Sequence, residues 1–332
     1  MLNLQTGRGP RIIVLYLLYP TGPAYDRETP LRAVRTVAAR LPGSKIIVSI
    51  DNSAFHPFSA QLSENEFSIG GDNTYLEFSG WQRGLDFVRD RDFAGDVCLF
   101  ANDTFLSQSI FHRYLVNEAA LRCALKYHAM VGKRMIPPVT GDILGNPLMP
   151  YARTHLFMMP FDLIERLGSV VSLDSRSIDE LMLPRYDPGI PLFRPDAPIS
   201  RPIRDFVTGH LNYSWYRKKP YIAEHFEELR AKAISILNAF LLSMRVYQLG
   251  YPLISYNRAR RFLDEDRTPE DILREWNDDR SRSKDDSEDT PAATNRFWQK
   301  AGFYRQLPEK MRGLTLENIL DFLERRSHPE HL

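Results

Sequence analysis

The amino-acid sequence predicts an α/β fold in which helices flank a mostly parallel sheet. Continuous apolar runs at Arg11–Leu18, Lys45–Ile50 and Asp96–Ala101 have the pattern of strands that are buried on both faces. Amphipathic helical patterns over Leu31–Leu41 and Glu77–Val88 separate these runs. Strands that alternate with helices in this way are typical of right-handed parallel units, so we expect a Rossmann-like core.

The length of the chain predicts more than one structural region. It has 332 residues, whereas a single core stops growing at roughly 250–300 residues. We therefore expect a ligand-binding core over residues 1–200 and a mainly helical region over residues 201–332 that packs on it. With 43% hydrophobic and 26% charged residues, the composition is that of a folded globular protein. The formal net charge of +1 gives no overall field that attracts nucleic acid, so we expect no nucleic-acid partner.

The cysteines and the apolar segments predict the compartment. Cys98 lies inside an apolar run, and neither it nor Cys123 belongs to a CxxC pair or a zinc-binding spacing. Ile12–Leu18 leads into Tyr19 and Pro20 and not into a small-residue cleavage site, so it is predicted to be a strand and not a signal peptide. No apolar run reaches the roughly 18 residues that a membrane span needs. We therefore expect no transmembrane segment and a cytoplasmic location, which includes the inner face of the membrane.

Further elements follow the first three strands. Pro184–Pro202 is predicted to be an extended crossing loop, either a lid or a connection between regions. The mixed-charge run Arg280–Asp289 is predicted to be a surface loop. Short strands are predicted at Ala129–Gly132 and His155–Met159, and helices at Ile110–Tyr127, Pro160–Leu167, Ala223–Leu249, Pro269–Asn277 and Leu314–Arg326.

Polar residues follow each of the first three predicted strands. Parallel strands end at the same edge of a sheet, and ligands bind there near the point at which strand order reverses. Tyr19–Tyr25, Asp51–Ser53 and Asn102–Thr104 lie at these ends. Asp51 has the chemistry to accept hydrogen bonds from a base or ribose, and Asp103 has the chemistry to hold a divalent cation beside a diphosphate. The alternative is that each Asp turns the chain or caps the next helix.

The segment Gly70–Gly84 combines glycines with polar side chains. Its first two glycines allow a ligand to approach the backbone closely. Asn73 and Glu77 are polar groups within reach of such a ligand, and Arg83 suits phosphate. The alternative places Trp81 in the core and Glu77 at a helix N-terminus. The sequence has no GxGxxG, Walker lysine or GxSxG pattern, which disfavours an ordinary dehydrogenase, a P-loop ATPase and a hydrolase with a nucleophile elbow.

Together these segments resemble the GT-A glycosyltransferases. The pattern is a strand that ends in Asp51–Ser53 (DNS), the segment Asn73–Leu85 (NTYLEFSGWQRGL) and a strand that ends in Asn102–Thr104 (NDT). Within that fold the pattern is similar to the rhamnan synthesis protein F-like group and its family 2 relatives, which build bacterial surface polysaccharides. Arg153–Leu167 is similar to the strand and helix near the acceptor in that group. The resemblance covers roughly residues 10–170, about half of the chain.

The resemblance implies an activity and a set of site residues. Residues 1–200 would bind a nucleotide-sugar and transfer the sugar to a glycan or lipid-linked acceptor, in the synthesis of O-antigen or capsule-type polysaccharide. Asp103 is the implied ligand of the diphosphate or of a Mn²⁺ or Mg²⁺ ion, although Ala101 and Asn102 precede it in place of a full Asp-x-Asp. The family 2 enzymes carry a Glu-Asp motif as the catalytic base. Asp179 and Glu180 lie near the place of this motif, in the reversed order. The implied donor-binding residues are Tyr19, Asp51, Asn52, Asn73, Glu77, Trp81, Arg83, Asn102 and Thr104, and the implied acceptor-side residues are Arg153 and His155.

Two other functions stay open at this point. A non-catalytic protein of the same fold, a binding or scaffold subunit of a polysaccharide assembly complex, would explain the missing Asp-x-Asp. A nucleotidyltransferase would need more clustered carboxylates than this sequence places together. An aromatic and basic cluster in the C-terminal half either contacts sugars, a lipid diphosphate or a membrane edge, or forms a seam between regions. Its residues are Tyr213, Trp215, Tyr216, Arg217, Lys218, Lys219 and Tyr221.

Overall fold

The computed structural model of the chain describes residues 9–20, 25–53, 58–108, 115–137, 139–190, 192–208 and 220–279. The strands are β1 (Arg11–Leu18), β2 (Ser44–Asp51), β3 (Ser59–Ser63), β4 (Glu66–Gly70), β5 (Val97–Asn102), β6 (Met130–Met135), β7 (Asp142–Ile143), β8 (Asn146–Pro147), β9 (Tyr151–Pro160) and β10 (Leu253–Ser255). The helices are α1 (Glu28–Ala39), α2 (Glu77–Asp90), α3 (Phe105–Gln108), α4 (Glu118–Tyr127), α5 (Phe161–Leu167), α6 (Ser175–Leu181), α7 (Arg201–Thr208), α8 (Phe226–Gln248), α9 (Ala259–Asp264) and α10 (Pro269–Asp279).

The central sheet has eight strands in the order β10-β6-β9-β5-β1-β2-β4-β3. β1 pairs in parallel with β2 and β5, β2 pairs in parallel with β4, and β6 pairs in parallel with β10. β9 runs antiparallel to both of its neighbours, and β3 runs antiparallel to β4. The predicted α/β class with a mostly parallel sheet and flanking helices is confirmed.

The strand order reverses between β1 and β5. From β1 the chain extends the sheet through β2 and β4, and β5 then returns to the other side of β1. Loops on either side of such a reversal leave in opposite directions, which opens a crevice at the carboxyl ends of the strands. Because Leu17 pairs with Asn102, the residues that follow them leave the sheet side by side.

An aromatic cluster fixes α2 against the sheet. The ring of Trp81 stands edge-on to the rings of Phe78, Phe100 and Phe157, at centroid distances of 5.6, 5.7 and 5.4 Å. Phe100 of β5 and Phe157 of β9 stack on each other at 4.6 Å. Edge-to-face and offset-stacked geometries are the favoured arrangements of aromatic pairs, so this cluster sets the position of the first turns of α2.

A second core joins α8 to the chain between β7 and α7. Buried side chains from both parts pack together, among them Ile143, Leu181, Phe206 and Phe240. Asn238 of α8 is fully buried, and its side-chain oxygen accepts hydrogen bonds from the backbone N–H groups of residues 172 and 173 at 2.7 and 3.0 Å. One compact unit covers residues 1–275, so residues 201–275 of the predicted C-terminal region belong to the same unit as the sheet.

Several elements differ from the sequence-based expectation. The segment after β2 contains the hairpin of β3 and β4, which was not predicted from the sequence. Ser59–Ser63 is exposed throughout and has no continuous apolar run of the kind that marks a buried strand. The strand predicted at His155–Met159 is ten residues long and starts at Tyr151. Within the helix predicted over Ile110–Tyr127, α4 begins at Glu118, where the side chain of Asn117 accepts a hydrogen bond from the N–H of Ala120. Within the predicted crossing loop, the described residues up to 200 form neither helix nor regular strand.

Some predictions fall on residues outside the described ranges. These are part of the loop after β1, the start of the helix at Ile110, the charged run Arg280–Asp289, the helix Leu314–Arg326 and most of the aromatic and basic cluster. Tyr221 is described: its hydroxyl donates to the carbonyl of Ile190 at 3.0 Å and accepts from the N–H of Leu192 at 3.1 Å. No helix among the described residues is long and apolar enough to cross a membrane.

Candidate functional site

A cavity of about 970 Å³ lies where the strand order reverses. The ends of β1, β2 and β5, the loop after β1, the start of α2, the first half of β9 and one side of α8 line it. Its volume is at the upper end of the roughly 300–1,000 Å³ typical of small-molecule sites. Nine residues that the sequence singled out line this cavity, namely Tyr19, Asn52, Asn73, Glu77, Asn102, Asp103, Thr104, Arg153 and His155.

Asp103, the first residue after β5, ties the loop after β1 to the end of the sheet. Its Oδ2 accepts a hydrogen bond from the backbone N–H of Tyr19 at 3.0 Å and another from the hydroxyl of Tyr25. Burial and this bond to the carboxylate raise the pKa of the Tyr25 phenol. Burial is also the main cause of the raised pKa of Tyr16, which lies beneath on β1, with the nearby Tyr25 and Asp103 adding to it. Both phenols therefore stay protonated at neutral pH, and that of Tyr25 donates to Asp103.

The ends of β2 and β5 turn in the same way. The Oδ1 atom of Asp51 accepts hydrogen bonds from the N–H and hydroxyl of Ser53 at 3.1 and 2.6 Å. The Oδ1 atom of Asn102 accepts the equivalent bonds from Thr104 at 3.2 and 2.7 Å. Asp51 is buried, pairs with Arg27 at 2.9 Å, and is not among the residues that line the cavity. Its contacts are those of a residue that turns the chain, which is the alternative open from the sequence.

Asn52 holds the turn that leads into α2. Its Oδ1 accepts from the N–H of Asn73 at 3.1 Å, and its Nδ2 donates to the side-chain oxygen of Asn73 at 2.8 Å and to the carbonyl of Leu76 at 2.9 Å. Leu76 has φ 51° and ψ −127°, a backbone conformation that a residue with a Cβ atom rarely adopts. A Cβ on Gly71 would lie 2.3 Å from Oδ1 of Asn52, so the glycine allows the close approach. Asn52 is 2% exposed, and its amide is committed to positioning this turn.

The first half of β9 forms the opposite wall. Because β9 is antiparallel to β5, its N-terminal residues lie at the edge where β1 and β5 end. Successive side chains of a strand point to opposite faces, so Thr154 faces α2 and α8 while His155 faces the other way. The Nδ1 atom of His155 lies 3.2 Å from the hydroxyl of Thr104, within hydrogen-bond distance. Arg153 lines the cavity from the same strand.

Glu77 brings a carboxylate into the cavity from the first residue of α2. Its Oε1 accepts a hydrogen bond from the hydroxyl of Ser235 on α8 at 2.7 Å, and the hydroxyl of Thr154 lies 3.5 Å away. Ser235 and Thr154 are 6% and 8% exposed. The carboxylate is thus held from two elements that are distant in sequence.

The sequence analysis did not identify the α8 wall. Glu228, Lys232 and Ser235 of this wall recur at helical spacing on a helix that is otherwise mostly apolar, and that spacing is the signal that could have revealed them. Tyr25, which contacts Asp103 across 78 residues of sequence, has no comparable local signal. The missed lining residues with polar side chains are Tyr25, Asp26, Tyr151, Thr154, Glu227, Glu228, Lys232 and Ser235.

Besides Asp51, four residues that the sequence singled out do not line the cavity. Trp81 is fully buried in the aromatic cluster, where its indole N–H points to the carbonyl of Ala101 at 3.4 Å. Arg83 is exposed on the outer side of α2. Asp179 and Glu180 are exposed on α6, and Glu180 borders a second, shallower cavity of about 510 Å³.

The residues of the cavity fit a cation that is shared with a ligand better than one held by the protein alone. In the described part of the chain, no three His, Cys, Asp or Glu side chains are grouped as metal ligands. Asp103 offers a carboxylate at the end of β5, with the neutral oxygens of Asn102 and Thr104 beside it in sequence. Mg²⁺ is usually held by one or two carboxylates together with substrate phosphates, which matches this donor set.

Comparisons with known proteins give no family for this chain. No family model matches it, and no curated protein matches it with significance.

Proposed function

We propose that this chain is a glycosyltransferase that binds a nucleotide-sugar in the cavity at the β1–β5 reversal and transfers the sugar to a glycan or lipid-linked acceptor. The observation that carries this proposal is the convergence of Asp103, Arg153 and Glu77 on one cavity at the carboxyl ends of the strands. Ligands of open α/β sheets bind at this place, because the strand-end loops diverge there. The resemblance of the residues at these strand ends to surface-polysaccharide glycosyltransferases supplies the reaction class.

The charges in the cavity bear on how a diphosphate would bind. Arg153 and Lys232 are the basic side chains of its lining, whereas Asp26, Glu77, Asp103, Glu227 and Glu228 are acidic. A nucleoside diphosphate is an anion, so in this surrounding it needs a counter-ion beside Asp103. A divalent cation, when bound, would be held by Asp103 and the phosphates and would stabilise the negative charge of the leaving diphosphate.

The size of the cavity supports a reaction between two substrates. A site of about 970 Å³ can hold a nucleotide-sugar with space beside it for part of an acceptor. Tyr151 and Phe240, with ring centroids 4.6 Å apart, add an aromatic surface on the side of β9 and α8. Aromatic faces of this kind pack against the apolar faces of sugar rings. We therefore place the acceptor on the β9–α8 side and the donor nucleotide on the β1–β5 side.

One observation favours the alternative of a non-catalytic binding protein of the same fold. Oδ2 of Asp103 already accepts two hydrogen bonds from the loop after β1. A carboxylate used in this way serves to anchor a loop, and the same contact would persist in a subunit that binds a glycan without transferring sugar.

The proposal is tested by nucleotide binding and by turnover of nucleotide-sugars. Purified protein is screened by thermal shift against UDP, GDP, CMP and dTDP, each with and without Mn²⁺, and then for hydrolysis of the matching nucleotide-sugar. A ligand that binds only the folded state at 100 times its Kd raises stability by about 2.7 kcal/mol. We expect one nucleotide to raise the Tm in a Mn²⁺-dependent manner.

Asp103→Asn is the decisive variant, with Asp90→Asn as its control. The Asn retains an oxygen that can accept from Tyr19 and Tyr25 but removes the charge, so we expect the Mn²⁺-dependent shift and the hydrolysis to be lost while the fold is kept. Asp90 is exposed at the far end of α2, and its variant should behave as the wild type. Nucleotide binding without any turnover would instead favour the binding protein, and no binding of any nucleotide would reject the proposal.

A further inference from the structure

We propose that Glu77 is the general base of this site, the carboxylate that removes the proton from the acceptor hydroxyl. This inference rests on the proposed function and adds a residue role to it. The sequence analysis placed Glu77 with the donor-binding residues and considered Asp179 and Glu180 as the base. The contacts of these carboxylates point to a different assignment.

Glu77 is an acidic side chain of the cavity, and it has buried hydrogen-bond partners on two other elements. Its Oε1 is fixed by the hydroxyl of Ser235 at 2.7 Å, and the hydroxyl of Thr154 lies 3.5 Å from the same atom. A general base has to stand within hydrogen-bond reach of the proton it takes, so a fixed orientation is the first requirement. Ser235 and Thr154 meet this requirement by holding one oxygen, and the carboxylate still borders the cavity.

The other carboxylates are less suited to this role. Glu227 and Glu228 line the cavity from the first turn of α8, where both are exposed to solvent. Asp26 accepts hydrogen bonds from the N–H groups of Glu28 and Thr29 at 3.0 Å and serves to start α1. Asp103 accepts from the loop after β1. Asp179 and Glu180 are exposed on α6 and do not line the cavity.

The placement of Glu77 also suits the direction of the reaction. Glu77 is held from β9 and α8, through Thr154 and Ser235. Asp103 is held from the loop after β1, through Tyr19 and Tyr25. The two carboxylates therefore lie on different sides of the cavity. In a single displacement the attacking oxygen and the leaving group stand on opposite sides of the carbon that is transferred. Glu77 on the acceptor side and Asp103 on the diphosphate side satisfy this condition.

The ionised carboxylate of Glu77 takes the proton of the acceptor O–H, and the oxygen forms a bond to the anomeric carbon of the donor sugar. The bond between that carbon and the phosphate oxygen breaks, and its electron pair leaves with the nucleoside diphosphate. The proton on Glu77 then passes to solvent. Water can take the place of the acceptor in the same step, which yields the free sugar.

The experiment compares Glu77→Gln, Glu77→Asp and Asp90→Asn with the wild type in the hydrolysis of the nucleotide-sugar found above, and in nucleotide binding. General base catalysis contributes about 10²–10⁴-fold to rate, so Glu77→Gln should lower kcat at least about 100-fold. The KM for the donor and the Kd for the nucleotide should change by no more than about twofold, because this interaction acts only in the transition state. Glu77→Asp, which keeps a carboxylate, should retain part of the rate, and Asp90→Asn all of it.

The pH profile separates a base from a structural residue. Wild-type kcat should rise with pH as a carboxyl group ionises, and this limb should be absent from the residual activity of Glu77→Gln. The assignment is overturned if Glu77→Gln keeps kcat within about threefold, or if it loses nucleotide affinity in parallel with rate. A wild-type protein that hydrolyses no nucleotide-sugar would overturn the proposed function itself, whereas turnover that is insensitive to Glu77 would overturn only this inference.

Discussion

The hydroxyl of Tyr25 donates a hydrogen bond to the carboxylate of Asp103, 78 residues further along the chain. The backbone N–H of Tyr19 donates to the same oxygen at 3.0 Å. The loop that follows β1 is thereby attached to the end of β5 through the side chain on which the proposed cation and diphosphate depend. A ligand at Asp103 consequently competes with the loop for this carboxylate.

This competition makes Tyr25→Phe an informative variant. Hydrogen bonds to charged groups contribute about 1.5–3 kcal/mol, and we expect a loss of about 1–2 kcal/mol because Tyr25 is only partly buried. Urea denaturation measures this loss. Nucleotide affinity in the presence of Mn²⁺, measured by calorimetry, should increase because the phenol no longer competes. Tyr186→Phe is the control, since no hydrogen bond of its hydroxyl is found among the described residues. Weaker nucleotide binding by Tyr25→Phe would contradict the competition.

Asn52→Ala should destabilise the protein without touching the reacting groups. The substitution leaves the N–H of Asn73 and the carbonyl of Leu76 without their partner in a partly buried place. Unsatisfied buried groups cost about 1–3 kcal/mol, and we expect the free energy of unfolding to fall by about 2–3 kcal/mol. The matched control is Asn65→Ala, at an exposed position in the turn between β3 and β4. Equal stability of the two variants would show that Asn52 does not hold the turn.

Gly80→Ala tests the close packing of α2 on the sheet. A Cβ atom at this position would lie 2.2 Å from Cδ1 of Leu17 and 2.9 Å from Oδ1 of Asn52. Alanine is the better helix former, but overpacking of a filled core costs about 1–3 kcal/mol, which is the larger effect. We expect a lower Tm in a thermal denaturation. Gly189→Ala serves for comparison, because the nearest atom to its added Cβ lies at an ordinary 3.4 Å.

The two cysteine thiols should be unreactive in the folded protein. Burial raises the pKa of Cys123 to about 12 and that of Cys98 well above its usual value. The thiolate is the reactive form, so a thiol reagent at pH 8 should label no cysteine before unfolding and two after it. Labelling of either thiol in the native protein would place it outside the core.

The raised thiol pKa values also set the sign of a pH effect on stability. The folded state keeps its thiol protons at pH values where the unfolded chain, with a thiol pKa near 9.0, has released them. The contribution of the protonated thiols to the free energy of unfolding is complete below about pH 9. As the pH rises from there toward 12, the free energy of unfolding falls by about 1.4 kcal/mol for each thiol and each pH unit. Urea denaturation of the wild type and of Cys123→Ala at pH 8 and pH 10 measures the slope, which should be smaller in the variant.

The sequence predicted the central strands because their signal is local. β1, β2 and β5 are continuous apolar runs, and each lies within one or two residues of its predicted bounds. The reversed direction of β9 depends on a pairing partner that is far away in sequence, and no short pattern encodes it. β3 pairs with the neighbouring β4, but it is exposed throughout and has no buried apolar run that would reveal it. The strand-end residues Asn102 and Asp103 could be predicted for the same reason as the strands that carry them.

The rest of the candidate site depends on contacts between distant segments. Tyr25 meets Asp103 and Ser235 meets Glu77 only after the sheet and α8 have packed. The same limit explains Trp81, for which the sequence left a core position and a ligand contact open, and which the structure places in the core. Local patterns thus predicted nine of the residues that line the cavity, whereas tertiary packing decided which carboxylate faces it.

The direction of β9 has a consequence for how the ligand preference of this site can diverge. Because β9 is antiparallel to β5, the first residues of β9 lie at the same edge of the sheet as the last residues of β5. Tyr151, Arg153 and His155 therefore occupy alternate positions of a hydrogen-bonded strand and not of a loop. Exchanging these three side chains would reshape the cavity without inserting or deleting any backbone, so a small combinatorial library at these positions is the direct way to change which ligands the cavity accepts.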